Sequence, residues 1–266
     1  MLKKYLFVAW TTIRTHTIYR AEVVLGLLTT LFTLAVQVFL WRSLYGNSAQ
    51  AQDVSVDAMV TYFIIGSTIS LVLRYADTTW QVSQDVKKGV IATSLCRPWH
   101  YPLQMLTSAA GGCVFSLLFM AVPLATVGAL LFHVQGPASS LAAVLAIVVS
   151  LAAFLLYFLL WLITGMMSFW LTELPWAVPS FINAFVWFFS GSAIPLWIYP
   201  PWLRSVADVL PVRFAYDLPL SLYIGRITPA QGLAGLGMEL AWIALLALAA
   251  YGVWHAGTRK LAIQGG

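Results

Sequence analysis

The sequence predicts an all-α membrane protein with six transmembrane helices, and three observations carry that reading. The chain of 266 residues is 61% hydrophobic and only 9% charged, whereas soluble domains carry about a quarter charged residues. Its mean hydropathy is +0.87. Long stretches hold no Asp, Glu, Lys or Arg: 19 residues from Val23 to Trp41, 16 from Ala58 to Leu73, 75 from Pro98 to Thr172, 30 from Leu174 to Leu203 and 19 from Leu240 to Thr258. The 14 basic residues fall ten against four on alternate sides of these stretches. A helix needs roughly 20 apolar residues to cross the hydrocarbon core. A spanning β-barrel would alternate in segments of about ten, and these runs are continuous.

In residues 1–22, Leu2, Leu6, Ala9, Trp10, Ile13 and Thr17 recur at three- and four-residue spacing, with Lys3, Lys4, Arg14 and Arg20 largely elsewhere on the wheel. This pattern predicts an amphipathic helix along the inner membrane surface, or else a cytosolic extension of the first span. Its start resembles a signal peptide. Arg14, His16 and Arg20 follow without a small-residue cleavage site before them, so the segment is expected to be retained.

The spans are expected at 23–44, 57–76, 103–132, 140–166, 176–197 and 234–255, in a single domain covering 1–266. The 75-residue run holds two of them, divided by the turn signal His133-Val-Gln-Gly-Pro-Ala-Ser-Ser140. Placing the N-terminus inside puts Lys3, Lys4, Arg14, Arg20, Arg74, Lys87, Lys88, Arg97, Arg259 and Lys260 on the cytosolic side. Both termini are then cytoplasmic in a cell inner (plasma) membrane. The net charge of +5 is accounted for by this bias and by anionic lipid, with no nucleic-acid partner needed.

Between the second and third spans, 77–102 is the longest inward segment. Trp80, Val86, Val90 and Leu95 suggest a short cytosolic helix with an apolar stripe, on which Asp85 and Lys88 can meet. Arg97-Pro98 ends it, because proline disfavours helix in the residue before it. A docking surface for a soluble partner is one reading and a plain surface loop the other. The outer segment, 198–232, follows a stretch from Gly191 crowded with Pro195, Trp197, Tyr199, Pro200, Pro201 and Trp202. It is too apolar for an ordinary loop and too broken for a span. Short helices dipping into the outer leaflet fit, and irregular backbone at that depth must be buried in protein or face water. Trp197, Tyr199, Trp202 and Tyr223 are candidate interface anchors, or line an exit path.

Catalytic signatures are missing from the sequence. It has no Gly-x-x-x-x-Gly-Lys-Ser/Thr phosphate loop, no His-Glu-x-x-His and no Gly-x-Ser-x-Gly. His16, His100, His133 and His255 are scattered, which points to no metal site, and Cys96 and Cys113 cannot form a disulfide framework. The chain is therefore expected to be no enzyme and to bind no cofactor itself. Within the spans, Gln37, Asn183 and Glu239 are the candidates for a substrate path. Glu239 reads as a site for a cationic group, a partner for an outer arginine, or a helix-start carboxylate. Gln37 and Asn183 read equally as helix-to-helix contacts.

Several motifs resemble those of the ABC type-2 exporter permeases, in the same order along the chain. Asp85-Val-Lys-Lys-Gly89-Val-Ile-Ala-Thr-Ser-Leu95-Cys-Arg97-Pro98 is similar to that family's Asp-x-x-x-Gly…Leu-x-Arg-Pro stretch, departing from it at Lys87-Lys88. Ser168-Phe169-Trp170 resembles its Phe-Trp signature after the fourth span. Gly191-Ser-Ala-Ile-Pro195-Leu…Pro200-Pro201-Trp202-Leu resembles its outer motif. The resemblance, closest to the daunorubicin- or drug-export-like branch, implies a permease subunit with a coupling surface at Trp80, Asp85, Lys88, Gly89, Leu95, Arg97 and Pro98. It implies an outer gate at Pro195, Trp197, Pro200, Pro201 and Trp202. It further implies two cytosolic ATPase subunits that carry ATP and Mg, and a second permease, identical or homologous. Without the resemblance, an ion-gradient-driven secondary multidrug or small-solute transporter and a structural scaffold are the alternatives.

Overall fold

A computed structural model describes residues 2–18, 20–45, 50–51, 54–73, 76–95, 100–132, 134–171 and 177–264. Arg74, Cys96, Arg97, Pro98 and His133, all named above, lie outside the described residues. Among the described residues the fold is all-α apart from a two-residue antiparallel pair, Gln50–Ala51 with Val54–Ser55, before the second span.

Helices α1 (Leu2–Ile18) and α2 (Arg20–Tyr45) open the chain, followed by α3 (Val56–Val72), α4 (Ala76–Lys87) and α5 (Val90–Leu95). The third span is α6 (Tyr101–Ser116), a π-helical turn (Leu117–Ala121) and α7 (Val122–Leu131). The π turn precedes Pro123, which has no N–H to give to the preceding turn, so the hydrogen-bond ladder shifts there. Then come α8 (Ser140–Met166), a 3₁₀ turn (Met167–Phe169) and α9 (Ala177–Phe189). After them come α10 (Pro201–Val209), a 3₁₀ turn (Pro211–Ala215) and α11 (Asp217–Tyr223), before the long α12 (Pro229–Gln264). Ser55 and Ser139 cap α3 and α8, each accepting a hydrogen bond from the N–H three residues on, at 3.2 and 3.1 Å.

Among the described residues, four helical segments are long and apolar enough to cross a membrane: Val23–Leu44, Tyr101–Leu131, Ser140–Phe169 and Pro229–Lys260. Two expected spans are shorter apolar helices. Val56–Val72 has 17 residues, about 26 Å of helix, at the lower limit for a crossing. Among its described residues the expected 176–197 span is α-helical only over the 13 residues of α9, about 20 Å, with a 3₁₀ turn at Leu196–Ile198. The apolar run continues past Phe189, but as irregular chain.

Helices α3 and α8 form the centre. Nearly every residue of α3 from Ala58 to Ile64 is buried, and α8 packs against α12, α4 and α11. The outer segment does not stay outside this centre. Tyr157 Oη donates to the Val212 carbonyl at 2.9 Å, and Ser70 Oγ lies 3.2 Å from Tyr216 Oη. Ser70 is 14 residues into α3, so Tyr216 reaches about 21 Å along that helix. Val212, Phe214, Leu218, Leu220 and Leu222 are all buried around it.

The expected surface helix α1 packs onto α6. Gly111 makes this contact possible: a Cβ there would come within 2.5 Å of the Ala9 carbonyl oxygen. Thr12 and Ser108 hydroxyls meet at 3.1 Å, and His16 stacks on Phe115. Leu6, Phe7 and Trp10 remain exposed on its other side.

Candidate functional site

The segment read as a coupling surface is two helices rather than one. Gly89 has φ +68°, which an L side chain resists and glycine accepts. Its N–H closes α4 on the Val86 carbonyl, and its own carbonyl opens α5 by accepting from Ala92. The break splits the expected stripe. Val86 turns inward with Val82 and Ile91, while Trp80 (64% exposed) and Val90 face outward. Asp85 and Lys88 do not pair among the described residues. Asp85 accepts instead from Tyr101 Oη at 2.7 Å, and Lys88 is exposed. Leu95 is the last residue of α5.

The helix pair is held by α8 and the turn after it, and by Tyr101 at the start of α6. Thr79 Oγ1 donates to the Trp161 carbonyl (3.0 Å), and Ser168 Oγ bonds Ser83 Oγ (2.9 Å). Gly165 lets α4 approach, since a Cβ there would meet Val82 at 2.9 Å. Ser168 precedes the Phe-Trp pair, and Phe169 packs over Gly257 while its carbonyl accepts from Lys260 Nζ at 3.0 Å. The sequence singled out Phe169-Trp170 without a role. The role visible here is to tie α4, α8 and α12 together.

A polar cavity of about 200 Å³ opens in the apolar region between α2, α3 and the end of α9. Thr29, Thr30, Thr33 and Gln37 line it from α2, and Ser67 and Ser70 from α3. Tyr62 and Trp187 supply aromatic walls. The three threonine hydroxyls donate back to the carbonyls of Leu25, Gly26 and Thr29, at 2.8–2.9 Å. Their lone pairs are what they offer the cavity, so the wall is rich in acceptors and holds no charged side chain. Of the three polar residues expected on a substrate path, only Gln37 reaches it. Asn183 is exposed on α9. Glu239 is 0% exposed within the chain, and neither carboxylate oxygen has a hydrogen-bond partner among the described residues. The threonines were missed in the sequence, although Thr29, Thr33 and Gln37 recur every four residues in an otherwise apolar run.

Beside the cavity, three long-reaching hydrogen bonds tie down the end of α9 and the irregular chain after it. Tyr62 Oη donates to the Gly191 carbonyl (2.9 Å), the Asp217 N–H to the Ser190 carbonyl (3.1 Å), and Tyr199 Oη to the Phe188 carbonyl (2.6 Å). Gly191 has φ +87°, and a Cβ there would meet Tyr62 Oη at 2.8 Å. The expected outer gate divides. Pro195 and Trp197 are buried, Trp197 edge-on to Tyr62 with Arg226 4.6 Å above its ring. Pro200 and Pro201 begin α10 and are exposed, as is Trp202. Trp197 and Tyr199, read as interface anchors, are both buried, Trp197 in the main core and Tyr199 in a smaller cluster with Leu196 and Ala207.

The outer arginines are engaged away from Glu239. Arg213 pairs with Asp208 and, at 3.2 Å, with Asp217, Arg204 reaches Asp208 at 3.8 Å, and Arg42 lies over Phe132.

Long apolar helices around a polar cavity, with a packed helix pair at one end, define a multi-pass helical membrane protein of the transporter class. Residues 31–265 match the family described as ABC-2 family transporter protein, and the chain belongs to that family. Such chains are the membrane component of transporters and associate with an ATPase subunit. No curated protein matches the chain.

Proposed function

We propose that the chain is the permease subunit of an ATP-driven exporter in a cell inner membrane, with both termini cytoplasmic. Two cytosolic ATPase subunits bind the ATP and Mg, and a second permease, identical or homologous, completes the path. The observation that carries this reading is the α4–α5 pair. It is anchored to α8 through Thr79 and Ser83 and presents Trp80, Val90 and Lys88 outward. A rigid helix pair with an exposed tryptophan is a surface that can receive force and pass it to the spans behind it. Arg97 and Pro98 are assigned to the same docking surface on the family motif.

The substrate path is the polar cavity between α2, α3 and α9, faced by the second permease. Asn183 and Trp187 lie four apart on α9, and an exposed amide on so apolar a helix is better placed against protein than lipid. Acceptor oxygens and aromatic walls without fixed charge suit a neutral or cationic amphipathic substrate that brings its own hydrogen-bond donors. Multidrug efflux fits that chemistry. Pro195 and Trp197 form the inner part of the exit, and Pro200, Pro201 and Trp202 its rim. The rival reading, an ion-gradient-driven carrier, rests on the buried Glu239.

The test is Trp80→Ala combined with Asp85→Asn in the assembled transporter. The expected result is transport lowered about tenfold or more while basal ATP hydrolysis and the amount of inserted protein stay the same. Transport at the parental rate would remove the coupling role.

A further inference from the structure

A second cavity, of about 680 Å³, lies on a different side of the molecule, between α6, α8 and α12. It is several times larger than the polar one and of different chemistry. Its walls are apolar, from Leu106, Phe158 and Leu159 to Ala250, and its end is the stacked pair Tyr101–Trp254, with ring centroids 5.3 Å apart and planes within 4°. His100 and His255 stand at its polar edge, and none of its lining residues is acidic. One helical turn beyond His255, on the same face of α12, is the exposed Arg259.

Away from its polar edge, an apolar cavity of this size gives water few hydrogen-bond partners. In a bilayer the molecule on hand to fill it is an acyl chain. Two imidazoles and a guanidinium with no carboxylate among them match a phosphate rather than a cationic head. We propose that this cavity binds an inner-leaflet phospholipid with an anionic head, one acyl chain lying between α6, α8 and α12 and the phosphate held by His255, Arg259 and His100. The assignment to the inner leaflet rests on the cytoplasmic placement of the termini. The lipid binding itself does not depend on the ATPase. Tyr101 belongs to both the cavity and the Asp85 hydrogen bond, so the lipid would abut the coupling helix directly.

The experiment is lipid retention by the full-length purified chain in detergent, read by native mass spectrometry. Phosphatidylglycerol and phosphatidylcholine with the same acyl chains are the probes. The parent chain is expected to retain phosphatidylglycerol about tenfold better than phosphatidylcholine. Ala247→Trp, at an exposed wall position, fills the cavity and is expected to lose both lipids. His255→Gln with Arg259→Gln, both on the surface, is expected to keep the acyl chain but lose the preference for the anionic head. Equal retention of the two lipids by the parent would overturn the phosphate assignment, and undiminished retention by Ala247→Trp would overturn the cavity. Displacement of phosphatidylglycerol by a lipophilic cation would make the cavity a substrate site and also overturn the lipid assignment. A chain that binds lipid as expected but recruits no ATPase would leave this site standing and remove only the exporter reading.

Discussion

Single hydrogen bonds decide whether chain that is neither helix nor strand can sit inside this protein. The Gly191 carbonyl has no helical partner and depends on Tyr62, 129 residues away in sequence. Tyr62→Phe keeps the ring and removes the donor, leaving a buried carbonyl unpaired at a cost of about 1–3 kcal/mol. Thermal unfolding in detergent should show a lower Tm, and an unchanged Tm would mean the bond contributes nothing. Arg213 plays a comparable part among charges. Asp217 has a side chain only 8% exposed, and Arg213 is its partner in the core. Arg213→Met leaves that carboxylate uncompensated, at a cost of about 3 kcal/mol or more. The same unfolding measurement, with Arg204→Met as the exposed comparison, should show a large loss for the first and little for the second. Neither bond was legible in the sequence. Gly191 and Arg213 are visible there as a turn residue and an outer cation, but nothing local says which distant group each one meets.

At the scale of elements, the sequence told most where hydropathy alone decides and least where packing does. The long spans coincide with charge-free runs because lipid leaves a helix few alternatives. The fifth did not, because the run from Leu174 to Leu203 stays apolar across the end of α9. Hydropathy cannot separate a lipid-facing helix from irregular chain whose backbone is satisfied by Tyr62, Ser192 and Tyr199. The coupling segment shows the same limit. Its apolar spacing suggested one stripe, and the positive φ of Gly89 cut it into two helices with different faces. The stripe that lines the polar cavity was legible and was missed, since Thr29, Thr33 and Gln37 keep helical spacing. Gln37→Leu removes the one flexible amide on that wall. With the path as proposed, efflux of an amphipathic cation should fall several-fold in everted vesicles while ATPase recruitment is unaffected. Undiminished efflux would place the path elsewhere.

For the whole molecule, the two central helices do different work on their two sides. The side of α3 toward α2 and α9 opens on polar acceptors, and the inner end of α8 grips α4. In the proposed transporter, substrate contact and force input are joined through one packed centre, into which the chain from Gly191 to Tyr216 is wedged. Its family associates with an ATPase subunit. The most direct measurement is affinity purification of the tagged chain from gently solubilised native membranes, with nucleotide hydrolysis assayed in the eluate. The account predicts a stoichiometric nucleotide-binding subunit in the eluate, and transport that follows ATP rather than the proton gradient. A chain that purifies without such a subunit and moves substrate only when a proton gradient is present would contradict it.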